Sequence, residues 1–225
     1  MARTREVAGG GRAVEVEPER LAGWFARFAE RHEGLTAVDG TADRLRFAAA
    51  DGASAEVAVP FGGLAADPVG ADPGAVLDAL HAHLAVPRRV GIVLVRLGGY
   101  SLGVAVNGVV EASTTGTRPV HGRNRKGGSS SGRFARRRDN QARVSLDAAA
   151  DAVARFLLPA ADTLDAVVLG GDTAALDDLR TDRRLAALLA RAEPRVLDVL
   201  EPRRAVLDEA ARRARAVEVV VREGP

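Results

Sequence analysis

The residues with the clearest chemical meaning lie near the middle of the chain, where a small, uncharged run of glycine and serine leads into a segment crowded with arginine. Between Arg118 and Arg143, nine basic residues stand against one acid, Asp139, so this segment carries +8. The basic residues are Arg118, Arg123, Arg125, Lys126, Arg133, Arg136, Arg137, Arg138 and Arg143. The whole chain carries only +2, which leaves −6 for the remainder. Charge concentrated in this way is typical of a surface that binds a nucleic-acid backbone.

The run of glycine and serine extends from Gly127 to Gly132. On its own, such a run is typical of a flexible linker. Here it lies between basic flanks, and Asp139 is the only acid near enough in sequence to balance the arginines that follow. We therefore interpret the run as the tip of a binding loop and the arginines as its contacts with phosphate groups.

The elements that must position this loop follow from the hydrophobic pattern on either side of it. Before the loop, apolar runs separated by Gly98-Gly99 and by Asn107-Gly108 predict three consecutive antiparallel strands. After it, apolar residues recur at helical spacing from Leu146 to Leu157 and predict a long helix that ends before Pro159. Strands and helices then alternate up to a last strand at Val217 to Val221. This order predicts an α/β fold built on a mixed sheet with flanking helices.

The residues before Pro87 predict a smaller α+β domain. Leu21, Trp24, Phe25 and Phe28 share one face of a predicted helix from Pro18 to Arg31 and are expected in the core. A hairpin around residues 51–52 and a second helix from residue 73 follow, and about the first ten residues are expected to be frayed. We therefore divide the chain into an N-terminal accessory domain, residues 1–86, and an α/β domain, residues 88–225, with a mobile basic loop at residues 118–132.

Composition argues against several kinds of site. The chain has no cysteine, so disulfides and thiolate ligands are excluded. The histidines are scattered, and we expect no metal site and no cofactor; they are His32, His81, His83 and His121. No run approaches the roughly 20 apolar residues that span a bilayer, and we expect a cytoplasmic protein. Gly170-Gly171-Asp172 lacks the further glycines and the lysine of a nucleotide-binding turn, which favours a simple capped turn.

The loop and the arginines after it resemble a known catalytic segment. Residues Gly127 to Arg136 read Gly-Gly-Ser-Ser-Ser-Gly-Arg-Phe-Ala-Arg. They are similar to the segment of eukaryotic and archaeal class-I peptide-chain release factors in which Gly-Gly-Gln leads into Arg-Phe-Ala-Arg. Residues 121–126 match the basic approach in that family, and residues 168–172 fall where it has an apolar strand ending in a turn. The resemblance covers roughly residues 88–222, and within this superfamily the chain is most similar to the bacterial branch of the Vms-like release factors.

The resemblance implies a release-factor catalytic domain that hydrolyses the ester between a nascent peptide and tRNA on stalled ribosomes. Gly127 and Gly128 would let the loop backbone approach RNA closely, and a backbone N–H there would stabilise charge on the tetrahedral intermediate. The implied RNA-binding residues are Arg123, Arg125, Lys126, Arg133, Arg136, Arg137 and Arg138. The implied partners are the large ribosomal subunit and peptidyl-tRNA.

The chain departs from the family pattern at the glutamine. Ser129 occupies its position when residues 133–136 anchor the alignment, and Ser130 does so if the loop is one residue longer. Gln141 lies beyond the arginines and is expected on the flank of the helix. A serine hydroxyl can hydrogen-bond a water molecule but reaches less far than an amide. Two alternatives therefore stay open beside the hydrolase: a non-catalytic ribosome- or RNA-binding factor, and a nuclease that cuts near the 3′ end of tRNA.

Overall fold

The computed structural model of the chain describes residues 4–65, 67–117 and 131–224, and the side chains of residues 131–139 lie outside that description. Its strands are β1 (Thr4–Glu6), β2 (Arg12–Val16), β3 (Leu35–Thr41), β4 (Arg44–Ala49), β5 (Ser54–Ala58), β6 (Arg89–Arg96), β7 (Gly99–Val106), β8 (Val109–Thr117), β9 (Ala166–Gly171), β10 (Ala192–Leu197) and β11 (Val217–Arg222). Its α-helices are α1 (Pro18–Arg31), α2 (Pro73–Ala85), α3 (Ser131–Phe156), α4 (Thr173–Thr181), α5 (Ala186–Leu189) and α6 (Arg204–Arg213). No helix within these ranges is both long enough and apolar enough to cross a membrane.

The chain forms two compact units. Unit one contains residues 1–87 and 215–225, and unit two contains residues 88–214. The last strand, β11, pairs with β2 on one side and β5 on the other, and so lies in the middle of the sheet of unit one. This position differs from the division expected from the sequence, in which residues 88–225 form one domain. The physical reason is that the alternating valines of β11 predict a strand but carry no information about which strands it pairs with.

The sheet of unit one has the order β1-β2-β11-β5-β4-β3, and every neighbouring pair is antiparallel. Helix α1 covers it with the stripe that the sequence predicts: Leu21, Phe25 and Phe28 are buried and Trp24 is half-buried. The ring of Phe25 lies 4.7 Å from that of Phe47 on β4. The edge strands β1 and β3 are missing from the sequence prediction. Most of their residues are exposed, so neither shows an apolar and polar alternation.

The sheet of unit two has the order β10-β9-β6-β7-β8. Strands β6, β7 and β8 are antiparallel neighbours, whereas β9 and β10 run parallel to β6. Val93, Leu102 and Val104 pack against α3 and α4 on one face, and Gly103 lies under Leu207 of α6 on the other. This arrangement confirms the predicted α/β fold with a mixed sheet and flanking helices.

The loop of interest is attached where several strands of this sheet end, and this side of the sheet is called its carboxyl edge. Because β6, β8, β9 and β10 run in the same direction, their carboxyl ends all lie at this carboxyl edge. Strand β8 ends there at Thr117, and the chain is described again from Ser131, where α3 begins.

Candidate functional site

The structure describes only some of the residues that the sequence assigns to the site. Those outside the described residues are Arg123, Arg125, Lys126, Gly127, Gly128, Ser129 and Ser130. Four others, Arg133, Arg136, Arg137 and Arg138, belong to the N-terminal part of α3, where the backbone alone is described. The described part of the site is therefore the place where the loop is attached to unit two.

Strands β7 and β8 and helix α3 line a cavity of about 480 Å³ at this attachment. Its described lining consists of Tyr100, Gly116, Thr117, Asn140, Gln141, Val144, Ala148 and Arg155. Gln141 lies on α3, as expected, and is half-buried rather than fully exposed to solvent. The volume falls within the range of about 300 to 1,000 Å³ that is typical of small-molecule sites.

Tyr100 reaches the cavity because Gly116 has no side chain. The two residues are paired across β7 and β8, and the phenol ring occupies the place where a Cβ on residue 116 would stand. The hydroxyl oxygens of their neighbours Ser101 and Thr115 are 2.8 Å apart and share a hydrogen bond. Because successive side chains of a strand point to opposite faces, that bond lies on the other face of the sheet. It joins the two strands directly beside the root of the loop.

The C-terminal half of α3 is anchored in the core of unit two. Ala149, Val153 and the following Leu157 are buried among the side chains of the sheet and of α4. Ser145 is 5% exposed, and its hydroxyl oxygen accepts a hydrogen bond of 3.2 Å from the N–H of Gly98 in the turn between β6 and β7. These contacts fix the direction of the helix, so its arginine-bearing N-terminal part extends from a rigid base.

The Gly170-Gly171-Asp172 segment forms the capped turn that the sequence favours. The carboxylate of Asp172 accepts a hydrogen bond of 3.0 Å from the N–H of Ala174 at the start of α4. Its own N–H donates to the carbonyl oxygen of Val95 over 2.9 Å. Gly171 adopts a φ of 114°, which a side chain would strain. This turn is therefore part of the scaffold.

Two of the described histidines, His32 and His83, have structural partners. The Nδ1 atom of His32 lies 2.8 Å from a carboxylate oxygen of Asp51, and the Nε2 atom of His83 lies 2.9 Å from the carbonyl oxygen of Pro60. His121 lies outside the described residues. In the described part of the chain, no group of histidine, aspartate and glutamate side chains is placed to hold a metal ion.

The described lining of the cavity suits binding better than proton transfer. Its ionisable side chains are Tyr100 and Arg155, and it includes no carboxylate or imidazole that could form an acid–base pair. An aromatic ring, two amides and a guanidinium can stack, form hydrogen bonds and attract anions. Sequence reasoning missed Tyr100, Thr117, Asn140 and Arg155, because strand register and helix packing bring them together from three separate elements.

Comparison with known proteins identifies a family for more than half of the chain. Residues 88–220 match the model of a family described as Actinobacteria/chloroflexi VLRF1 release factor. No curated protein matches the chain. Among solved structures, the archaeal translation termination factor aRF1 is similar with a TM-score of 0.42 and 11% identity, over 88% of this chain and 70% of that one. A second solved structure, described as an archaeal protein, is similar with a TM-score of 0.39 and 13% identity over 73% of this chain. The present chain spans about half, 48%, of the length of that protein.

Proposed function

The chain belongs to the Actinobacteria/chloroflexi VLRF1 release factor family, and from this premise we propose that it frees nascent peptides from stalled ribosomes by hydrolysing peptidyl-tRNA. Membership in the family implies association with the ribosome; the large-subunit site, the substrate and the reaction are the proposal. The observation that carries it is the Gly127-Gly128 pair, which lies in the +8 segment shortly before Ser131, where the arginine-bearing helix α3 begins.

In the proposed reaction, water attacks the carbonyl carbon of the ester that joins the peptide to the 3′ oxygen of tRNA. The bond from that carbon to the ribose oxygen breaks, the peptide leaves as a carboxylic acid, and the ribose oxygen takes up a proton. Gly127 and Gly128 let the backbone approach closely, so a backbone N–H can stabilise the negative charge of the intermediate. Ser129 and Ser130 stand where the family glutamine would act, and a hydroxyl can hydrogen-bond the water. No metal or cofactor takes part.

The basic residues would hold the loop in place by binding phosphate groups of rRNA or of the tRNA end. This set comprises Arg123, Arg125, Lys126, Arg133, Arg136, Arg137 and Arg138. Such contacts position a protein without reading sequence, and they make affinity fall as salt is raised. The proposed site of action is the cytoplasm, on stalled ribosomes.

The test is release of labelled peptide from purified ribosomal complexes stalled with peptidyl-tRNA. We expect Gly127→Ala/Gly128→Ala to slow release by about 100-fold or more, because the added side chains would hold the backbone N–H away from the oxyanion, and losing one oxyanion donor typically has an effect of this size. Ser129→Ala/Ser130→Ala should slow it if a hydroxyl positions the water. Gly23→Ala is the matched control, because Gly23 is exposed on α1 and its added Cβ would meet only Arg27, at 3.5 Å. Unchanged release by the loop glycine variant would contradict the proposal.

The missing glutamine favours a second candidate, a ribosome-binding factor without catalysis. It predicts tight, salt-sensitive binding and no peptide release by the wild-type protein. Gln141→Ala should be measured alongside, because this glutamine lines the cavity at the root of the loop and is the nearest candidate to replace the family residue. The length of the tRNA on the same gel separates hydrolysis from cleavage, since a nuclease would shorten it.

A further inference from the structure

We propose that unit one carries a binding site for single-stranded RNA, formed by Arg12, Arg27 and Arg31 around the indole of Trp24. The site belongs to unit one and goes beyond the proposed function, since it holds whether or not the loop of unit two hydrolyses an ester. It would give the N-terminal unit a task of its own, the capture of an RNA strand.

The charges of α1 are segregated around its axis. Arg20, Trp24, Arg27 and Arg31 follow one another at spacings of four, three and four residues, so they share one flank of the helix. That flank adjoins the buried stripe of Leu21, Phe25 and Phe28 on one side only. The acids of the helix itself, Glu19 and Glu30, lie off this flank, and the acid beside it, Glu17, precedes the helix and pairs with Arg20.

Three arginines on or beside this flank have no acidic partner among the described residues. Every other described arginine of unit one lies within 3.9 Å of a carboxylate oxygen; these are Arg5, Arg20, Arg44, Arg46, Arg215 and Arg222. Among the residues that the structure describes, no ion pair is formed by Arg12, Arg27 or Arg31. Arg27 and Arg31 are also four residues apart on a helix, where like charges repel. Unpaired arginines grouped in this way fit an anionic ligand.

The three arginines surround one shallow cavity of about 100 Å³. Its described lining is Arg12, Val14, Trp24, Arg27, Phe28, Arg31, His32, Val221 and Glu223. The only carboxylate in that lining is Glu223, so three guanidinium groups outnumber one negative charge. The volume is too small to enclose a nucleotide, and the site is therefore a surface over which a strand can lie.

Trp24 distinguishes this surface from a simple anion site. One face of its indole is stacked on Phe28, with ring centroids 5.6 Å apart and an angle of 9° between the planes. The ring of Phe25 lies nearly perpendicular to it, with ring centroids 5.0 Å apart and an angle of 78° between the planes. The half-buried indole is thus held rigidly beside the guanidinium groups. Proteins that bind single strands combine basic grooves with aromatic rings on which bases stack. An acidic peptide would supply the charge but no ring to stack, so RNA fits the surface better.

The test uses the full chain. Trp24 is its only tryptophan, so tryptophan emission reports on this site alone. Tryptophan emission is followed while a single-stranded adenosine 12-mer is added at low salt, and total binding is measured in parallel by filter retention. We expect a saturable change in emission. Arg27→Glu/Arg31→Glu should weaken the response at least about tenfold and lower the slope of log K against log salt by about 1.4, because two phosphate contacts are lost.

Two control variants give the test its specificity. Arg44→Glu/Arg46→Glu also reverses two arginines of unit one, but these are paired with Glu56 and Asp39, so the tryptophan titration should stay close to that of the wild type. Arg136→Glu/Arg137→Glu should lower total RNA retention and leave the tryptophan response in place. Circular dichroism and the thermal midpoint of each variant confirm that it is folded.

Three results would overturn the proposal. The first is RNA retention by the wild-type chain with no change in tryptophan emission. The second is an equal emission response from folded Arg27→Glu/Arg31→Glu. The third is an equally strong response to polyglutamate or to inorganic phosphate at the same concentration of anionic groups, which would assign the surface to an acidic protein or to a small anion.

Discussion

The two units are built from the chain in different ways. Unit two is one continuous segment, residues 88–214, whereas unit one needs residues 1–87 together with residues 215–225. Its sheet is antiparallel throughout, and the returning strand β11 occupies an interior position with Val217, Val219 and Val221 buried. The N-terminal unit therefore depends on the opposite end of the chain for its core, and unit two does not.

This difference has a consequence for the family match. The match covers residues 88–220 and so extends six residues beyond unit two, into the strand that completes unit one. A fragment cut at these limits would carry most of β11 without either of its partner strands, and an unpaired strand of alternating valines invites aggregation. The limits of sequence similarity are thus not the limits of a structural unit.

Each unit also carries its own intrinsic reporter, which makes the comparison measurable. The only tryptophan, Trp24, lies in unit one, and the only tyrosine, Tyr100, lies in unit two. Excitation of tryptophan alone follows the first unit, and the tyrosine component of the near-ultraviolet absorbance, separated from that of tryptophan by second-derivative analysis, follows the second.

The largest effect is expected from removing residues 215–225. This deletion separates β2 from β5 and exposes the core of unit one, so we expect unit one to unfold while unit two stays folded. Hydrogen exchange with peptide resolution checks this, with rapid exchange in residues 4–58 and retained protection in β6, β7 and β9. Removing only residues 223–225 is the control, because it leaves β11 whole. Protection of unit one after the longer deletion would contradict the dependence on β11.

A smaller but unit-specific loss is expected from Phe25→Ala. Phe25 is 2% exposed and contacts the rings of Trp24, Phe28 and Phe47, so truncation should cost about 3 to 5 kcal/mol of unfolding free energy. Urea titration followed by tryptophan emission measures it. The matched variant in unit two is Leu157→Ala, at a fully buried position, which should shift the tyrosine transition by about 2 to 5 kcal/mol. If both variants shifted both transitions equally, the units would not unfold independently.

The sequence predicts local structure well where the hydrophobic pattern is regular. Helix α1, the hairpin of β4 and β5, and the three strands before the loop all show clear periodicity, and the structure confirms them. It predicts poorly what depends on partners far away in the chain. The interior position of β11 follows from pairing with β2 and β5, and the short edge strand β1 exists only because β2 is there to bind it.

The candidate site shows the same limit. Glycine, serine and arginine at positions 127–138 indicate binding and chemistry because their types and spacing are local features. The cavity beside them is not a local feature, since Tyr100 meets Gly116 through strand register and Gln141 meets both through the packing of α3. In unit one, the unpaired arginines become recognisable only when the structure shows which arginines have carboxylate partners.

A modest effect, confined to unit two, is expected from Gly116→Ala. The added methyl group would overlap the ring of Tyr100, so the ring must leave its place in the cavity at a cost of about 1 kcal/mol. The tyrosine absorbance of the folded protein and its urea transition should both change, and tryptophan emission should not. In a Tyr100→Leu background the same substitution should cost less, because the overlapping ring is gone. An equal cost in both backgrounds would show that overlap with the ring of Tyr100 is not what makes a side chain at residue 116 costly.

The smallest effect concerns acid stability and is expected in unit one. The N–H of Ala53, together with the ring of His32, lowers the pKa of Asp51 below its ordinary value. A carboxyl with a lowered pKa in the folded state stabilises the fold above its ordinary pKa of about 4, and that contribution is lost as pH falls through the folded value. Tryptophan-detected stability should therefore decline below about pH 4 more steeply in the wild type than in Asp51→Asn. Asp51 is partly exposed, so this slope is small compared with the loss in Phe25→Ala. Equal slopes in the two proteins would assign the acid sensitivity of unit one to other carboxylates.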